Sequence, residues 1–225
     1  MNDPNTAVCL NDILFTYPDQ GNAGFALDVP SLTLPAGICT ALCGFNGSGK
    51  TTLGKLLAGL LRPVRGKVLL GGEDIAGWPL GKIGARVGYL FQDPSRQIFA
   101  PTVIEDITFP LILKGKSEGE AYSLARSILA RFEMDTLEEA TSYTLSRGEK
   151  QRLALAAMMI NNPSFFVLDE PTTGLDARRK SILGDILKDL IERGAGILLI
   201  SHDKQFIRDY AGAVYMMEEG RLLTP

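Results

Sequence analysis

No stretch of this chain restricts its fold more than GFNGSGKTT, residues 44–52. It follows the β-rich run GICTALC and opens KTTLGKLLAGLL, where Leu53, Leu56, Leu57 and Leu60 recur at helical spacing. With Gly44, Gly49, Lys50 and Thr51 it fits G-x-x-x-x-G-K-[ST], and Asn46, Gly47, Ser48 and Thr52 complete the segment. Glycines let successive backbone N–H groups turn toward a polyphosphate, and the helix start adds its positive end. Lys50 is expected to reach the β- and γ-phosphates and Thr51 to offer its hydroxyl to Mg²⁺. A plain glycine-rich turn with a surface lysine leaves the strand before it and the helix after it unexplained. The expectation is a nucleoside triphosphate site in an α/β fold.

The rest of the pattern agrees. AVCLNDILFTY and FALDVPSLTL read as strands joined by the turn PDQGNAG, forming a β-rich N-terminal region. GKVLLGGEDI and RVGYLFQ read as further strands, and FFVLDE and GILLISHD as buried, parallel-type strands. Helices are expected over 117–132, with Leu124, Ile128 and Leu129 on one face, from about Glu149 to Ile160, and over 177–192. AVYMMEEGRLL reads as a closing hairpin about Glu219-Gly220. Buried strands alternating with helices imply a parallel sheet wrapped by helices. A helical stretch at roughly 95–160 interrupts that alternation as a subdomain of one domain spanning 1–225.

Composition narrows the class. Of the 225 residues 45% are hydrophobic, enough for a substantial core, and the net charge of −3 gives no reason to expect nucleic acid. Cys9, Cys39 and Cys43 lie in no metal-ligand spacing, and the odd count suggests reduced thiols and a cytoplasmic home. MNDPNTAVCLND lacks the regions of a signal peptide, and no stretch is long and apolar enough for a bilayer, so any spanning is expected of a partner.

Two further stretches carry chemistry. FFVLDE brings Asp169 and Glu170 to a strand end, where such sheets place ligands. Asp169 is suited to the Mg²⁺ shell and Glu170 to polarising an attacking water, although two carboxylates there also suit a capped turn. In LSRGEKQR, Ser146 and Glu149 fit the capping box S-x-x-E, and a capped helix start with Ser146 and the Gly148 N–H as donors suits an anion.

In order, these pieces resemble the nucleotide-binding subunit of an ATP-binding-cassette (ABC) ATPase across nearly the whole chain. GFNGSGKTT matches the Walker A motif, FFVLDE the Walker B motif and LSRGEKQR the signature usually written LSGGQ, with Arg147 in place of a glycine. The resemblance places Gln92 of LFQDP in the Q-loop, meeting Mg²⁺ or the lytic water, and TTGLD, with Asp176, in the D-loop at a dimer interface. It makes His202 of ISHD the γ-phosphate-contacting switch histidine and Tyr17 of LFTYP the ring stacked on adenine. The blander roles are a strand aromatic for Tyr17, a loop contact for Gln92, a structural histidine for His202 and a helix cap for Asp176. The implied fold is a P-loop NTPase with a parallel-sheet core, an N-terminal antiparallel β region and a helical subdomain. The implied site joins Lys50, Thr51, Asp169, Glu170, Gln92 and His202 of one chain to Ser146 and Gly148 of another around ATP and Mg²⁺, in a homodimer or heterodimer. Arginine at 147 is expected to point its side chain away from phosphate, free of positive φ.

The run QDPSRQIFAPTVIEDITFP further resembles ATPases of energy-coupling-factor importers of the cobalt, nickel and biotin types. That likeness implies integral membrane transporter subunits docking near Gln92–Phe99, with Ile98 and Phe99 as exposed apolar anchors, and a location on the cytoplasmic face of the cell membrane. It implies uptake of a vitamin or transition-metal ion. The alternatives are a conventional ABC importer or exporter, or a soluble ABC ATPase acting on ribosomes or DNA. The chain is read as ending soon after the final hairpin, whereas many such importer ATPases carry a further C-terminal segment.

Overall fold

Alternation of apolar residues builds the first strands. The structure, a computed structural model, describes residues 7–18 and 25–223; most of PDQGNAG lies outside the described residues. In β1 (Val8–Thr16) the buried positions are Val8 and Leu10, then Ile13 and Phe15. That one-residue phase change marks a bulge: Asp12 has φ 52°, and the register with β4 (Arg65–Leu70) shifts between Asn11 and Leu14. β1 also pairs antiparallel with β2 (Ala26–Leu34), and the short β5 (Glu73–Asp74) pairs antiparallel with β4.

The remaining strands are β3 (Cys39–Cys43), β6 (Val87–Leu90), β7 (Phe165–Asp169), β8 (Gly196–Ile200), β9 (Ala213–Glu218) and β10 (Arg221–Leu223). All ten form one sheet in the order β5-β4-β1-β2-β10-β9-β3-β8-β7-β6. β9, β3, β8 and β7 run parallel, and every residue of β7 and β8 is buried, as expected for strands covered on both faces. The closing hairpin turns at Glu219 and Gly220, both with positive φ, and β10 pairs parallel with β2. It thereby joins the antiparallel strands to the parallel ones.

α1 (Lys50–Leu57) buries Leu53, Leu56 and Leu57. Leu60, expected on the same face, is exposed, because the helix ends at Ala58 and Gly59 turns the chain at φ 66°. α2 (Leu80–Gly84) and α7 (Lys204–Tyr210) are short helices with no periodic signal.

Contacts divide the chain into two units, 1–89 with 163–170 and 183–225, and 90–162 with 171–182. The second is helical. α3 (Val103–Leu113), α4 (Glu118–Arg131) and α5 (Arg147–Met159) each start on a capping box: Thr102 with Glu105, Ser117 with Glu120 and Ser146 with Glu149. α4 buries Ala121, Ala125, Ile128 and Leu129, whereas Leu124 is exposed on its flank, because the small alanines carry the stripe. α5 begins two residues before Glu149, since the cap is Ser146. α6 (Ala177–Glu192) has the expected bounds and crosses from one unit to the other.

Candidate functional site

In the first unit, the loop 44–49 between β3 and α1 depends on its glycines. Gly44 has φ 148°, and a Cβ there would lie 2.1 Å from the Met217 carbonyl oxygen; Gly49 has φ 109°. The closing hairpin braces the loop from the same side, as the Gly220 N–H donates to the Ser48 carbonyl at 2.9 Å. Sequence periodicity carries no sign of this brace. Gly44→Ala is therefore expected to lose nucleotide binding and to destabilise the fold by about 3 kcal/mol, from the left-handed backbone and the overlap together. Nucleotide titration and thermal unfolding check this, with a melting point lower by roughly 5–10 °C.

Lys50 folds back over the loop: its Nζ donates to the Gly44 and Phe45 carbonyls, both at 2.8 Å, and to Ser48 Oγ at 3.4 Å. Burial lowers its pKa, with Glu170 and Asp169 opposing the shift. An ammonium resting on neutral carbonyls gains from exchange onto phosphate oxygens, because charge-assisted bonds are stronger. Asn46 and Gly47 are exposed at the loop tip. Tyr17 stands at the first turn of α1, its hydroxyl 3.0 Å from Thr52 Oγ1 and its ring edge-on to Phe15.

Asp169 ends β7 and is buried. Its Oδ2 accepts from Thr51 Oγ1 at 2.8 Å and from the Tyr89 hydroxyl at 3.3 Å. Burial raises the Asp169 carboxyl, and the two donors pull it back. Tyr89 was not among the expected site residues; its only signal is a polar tip in a buried strand. No cluster of three or more His, Cys, Asp or Glu suited to a metal exists among the described residues. The paired hydroxyl and carboxylate oxygens of Thr51 and Asp169 still fit Mg²⁺, which commonly takes few protein ligands and completes its shell with phosphates and water.

Glu170 has φ 55°, a left-handed conformation that costs a non-glycine residue about 1–2 kcal/mol. The bond from its N–H to the Ile200 carbonyl, 2.8 Å, holds it there by extending the β7–β8 pairing one step. The turn aims the carboxylate at His202, whose Nε2 lies 3.5 Å from Glu170 Oε1. Burial raises the Glu170 carboxyl above the ordinary range, His202 opposing. His202 itself is exposed at the end of β8. Tyr17, the 44–52 loop, Asp169, Glu170 and His202 thus form one cluster.

The other expected residues belong to the second unit. Gln92 is exposed just past β6. Ser146 Oγ donates to Glu149 Oε2 at 2.7 Å, the Ser146 N–H reaches the same oxygen at 2.8 Å, and both hold the Glu149 carboxyl below its usual range. Arg147, exposed at the first position of α5, is not among the residues with positive φ, so arginine is unstrained there. Gly148 is essential for another reason: a Cβ would sit 2.7 Å from the Gly174 carbonyl oxygen, so α5 and the 172–176 turn meet backbone to backbone. Asp176 caps α6 through the Arg179 N–H at 2.9 Å and pairs with its guanidinium at 2.7 Å. Farther along α5, buried Arg152 donates to the Phe132 and Glu133 carbonyls, each at 2.7 Å. Of the two expected anchors, Phe99 is exposed but Ile98 is buried, a correction traced below to the turn that carries them.

The chain is similar to a family of known proteins. A family model described as ABC transporter matches residues 27–173. An ABC transporter ATP-binding protein of Caldanaerobacter subterraneus is 38% identical over 211 residues, 94% of this chain. The chain spans only 37% of that relative's length, and 34% of the length of a similar one from Methanosarcina acetivorans. EcfA of Methanothermobacter thermautotrophicus, an energy-coupling factor transporter ATP-binding protein, is 36% identical over 96% of this chain and 69% of its own length. Among solved structures, cbiO1 from Clostridium perfringens, part of the ABC transporter complex cbiONQ, is 29% identical with a TM-score of 0.82, covering 96% of this chain and 86% of its own. The ATP-binding cassette MJ0796, dimeric and bound to ADP and Pi, is 25% identical with a TM-score of 0.88, covering 96% and 97%.

Proposed function

This chain belongs to the ABC transporter family, and from that membership we propose that it binds and hydrolyses ATP to power uptake through membrane partner subunits, as an energy-coupling-factor type importer for a vitamin or transition-metal ion. One observation carries the hydrolytic reading: strained Glu170 stands between the Thr51–Asp169 pair and His202, beside the phosphate loop.

In this reading the 44–49 loop and Lys50 grip the β- and γ-phosphates, and Tyr17 stacks on the adenine. Thr51 and Asp169, with Gln92, hold Mg²⁺, which when bound supplies charge neutralisation on the phosphate oxygens. Glu170 takes a proton from the attacking water, and His202 orients the γ-phosphate. Two copies, or this chain and a second ATPase, close around two nucleotides. Ser146 and Gly148, beside the Asp176 turn, complete the site of the opposite chain. The Ser146 hydroxyl then exchanges its bond to Glu149 for one to phosphate.

The membrane partners are proposed to dock near Gln92–Phe99, with Phe99 as the exposed anchor. No helix among the described residues is long and apolar enough to cross a membrane, which suits a peripheral subunit on the cytoplasmic face. Affinity capture from detergent-solubilised membranes tests this. The expected result is recovery of an integral membrane protein together with a small substrate-binding membrane protein. Recovery with ribosomes alone would overturn it.

A further inference from the structure

Ile98 and Phe99 are neighbours with opposite fates: Ile98 is buried, and Phe99 is 53% exposed. The Phe99 ring sits edge-on to that of Phe109, with centroids 5.3 Å apart, and the Tyr143 hydroxyl donates to the Phe99 carbonyl at 3.0 Å. Phe109 and Tyr143 are themselves exposed, so three aromatic rings share one part of the surface. A single side chain holds the main chain beneath them. Asp106, in the first turn of α3 and 1% exposed, accepts the N–H groups of both Phe99 and Ala100 on one oxygen, Oδ1, each at 2.9 Å. Its second oxygen is buried and has no partner among the described residues.

Burying a carboxylate with an idle oxygen is costly, and an apolar residue would fill the same place in α3 more cheaply. The return visible in the structure is a fixed turn. With two successive N–H groups on one acceptor, the chain cannot rotate between residues 98 and 100, so one side chain goes into the core and the next goes out. Tyr143 secures the same turn from its carbonyl side.

We propose that Asp106 is a positioning residue that sets the 99–100 turn, so that Phe99 projects as the anchor received by an apolar cytoplasmic segment of the membrane partner. This rests on the docking reading above and adds to it the residue that presents the anchor. The chemistry required is one acceptor oxygen at that place and not a negative charge. An asparagine keeps such an oxygen; a leucine of similar size does not.

Phe99→Ala, Asp106→Asn and Asp106→Leu are compared by the amount of membrane partner captured with each. Phe99→Ala and Asp106→Leu are expected to recover about tenfold less partner, the loss typical of an interface aromatic, whereas Asp106→Asn recovers as much as the parent. Nucleotide affinity of the uncaptured chain should be the same in all. Parental recovery by Asp106→Leu beside a loss in Phe99→Ala overturns the role of Asp106 and leaves the docking reading standing. Parental recovery by Phe99→Ala overturns both. If Asp106→Leu does not fold, Asp106→Ala takes its place, and hydrogen exchange at the Phe99 and Ala100 amides is read: faster exchange than in Asp106→Asn supports the proposal, and equal protection overturns it.

Discussion

Glu170→Gln is expected to lower steady-state phosphate release by about 10²–10⁴-fold, the usual contribution of a general base, while nucleotide binding survives. The substitution keeps the shape of the side chain, the neighbour His202 at 3.5 Å and the N–H bond to Ile200. It removes only the ability to take up a proton. ATP should consequently stay bound and hold two chains together, visible as a nucleotide-dependent dimer in size-exclusion chromatography. The pH profile gives a second reading. Burial raises the Glu170 carboxyl above the ordinary glutamate range, and a protonated carboxyl is no base. Phosphate release by the parent should therefore climb with pH through a midpoint above that range and then level off. The limb should be missing from the residual activity of the variant. Rapid multiple turnover by Glu170→Gln would remove Glu170 from this role.

Gly148→Ala is also expected to have a large effect on turnover, with a different signature. The added methyl would stand 2.7 Å from the Gly174 carbonyl oxygen, a backbone atom, so the start of α5 or the 172–176 turn must move. Those elements carry Ser146, proposed to meet the nucleotide of the opposite chain, and Asp176, expected at the dimer interface. A displacement approaching 1 Å in a positioning group costs on the order of 10²-fold in rate. Phosphate release at high chain concentration should fall by that factor, whereas ATP affinity of the lone chain stays at the parental value, since the phosphate loop is untouched. A matching loss of affinity in the lone chain would place Ser146 and Gly148 in the cis site instead. Arg147 offers no comparable lever: its backbone is unstrained and its side chain exposed.

Local chemistry wrote much of this protein plainly. The phosphate loop, the capping box at Ser146 and Glu149, the strand ending in Asp169 and Glu170, and the hairpin at Glu219-Gly220 all rest on spacings of a few residues. Glycine conformation, cap geometry and strand period act over that range, so a reader of the chain meets them directly. Leu60 and Leu124 show where periodicity misleads. Each continues an apolar pattern, but the helix has already ended in one case, and small alanines carry the buried stripe in the other.

Other features depended on residues far apart in the chain. β10 pairs with β2 and the hairpin braces Ser48 because segments nearly two hundred residues apart share a sheet, and no local preference encodes such pairing. Tyr89 reaches Asp169 across eighty positions. Ile98 and Phe99 draw on both ranges: hydrophobicity ranks them alike, and the turn that sends one inward and the other out is held by the nearby buried Asp106 oxygen and by the Tyr143 hydroxyl, 44 positions from Phe99. Sequence alone named the groups proposed to meet a triphosphate. Tertiary structure decided which of them meet and which of two apolar neighbours is exposed, because burial and hydrogen bonding belong to places in space and not to positions along the chain.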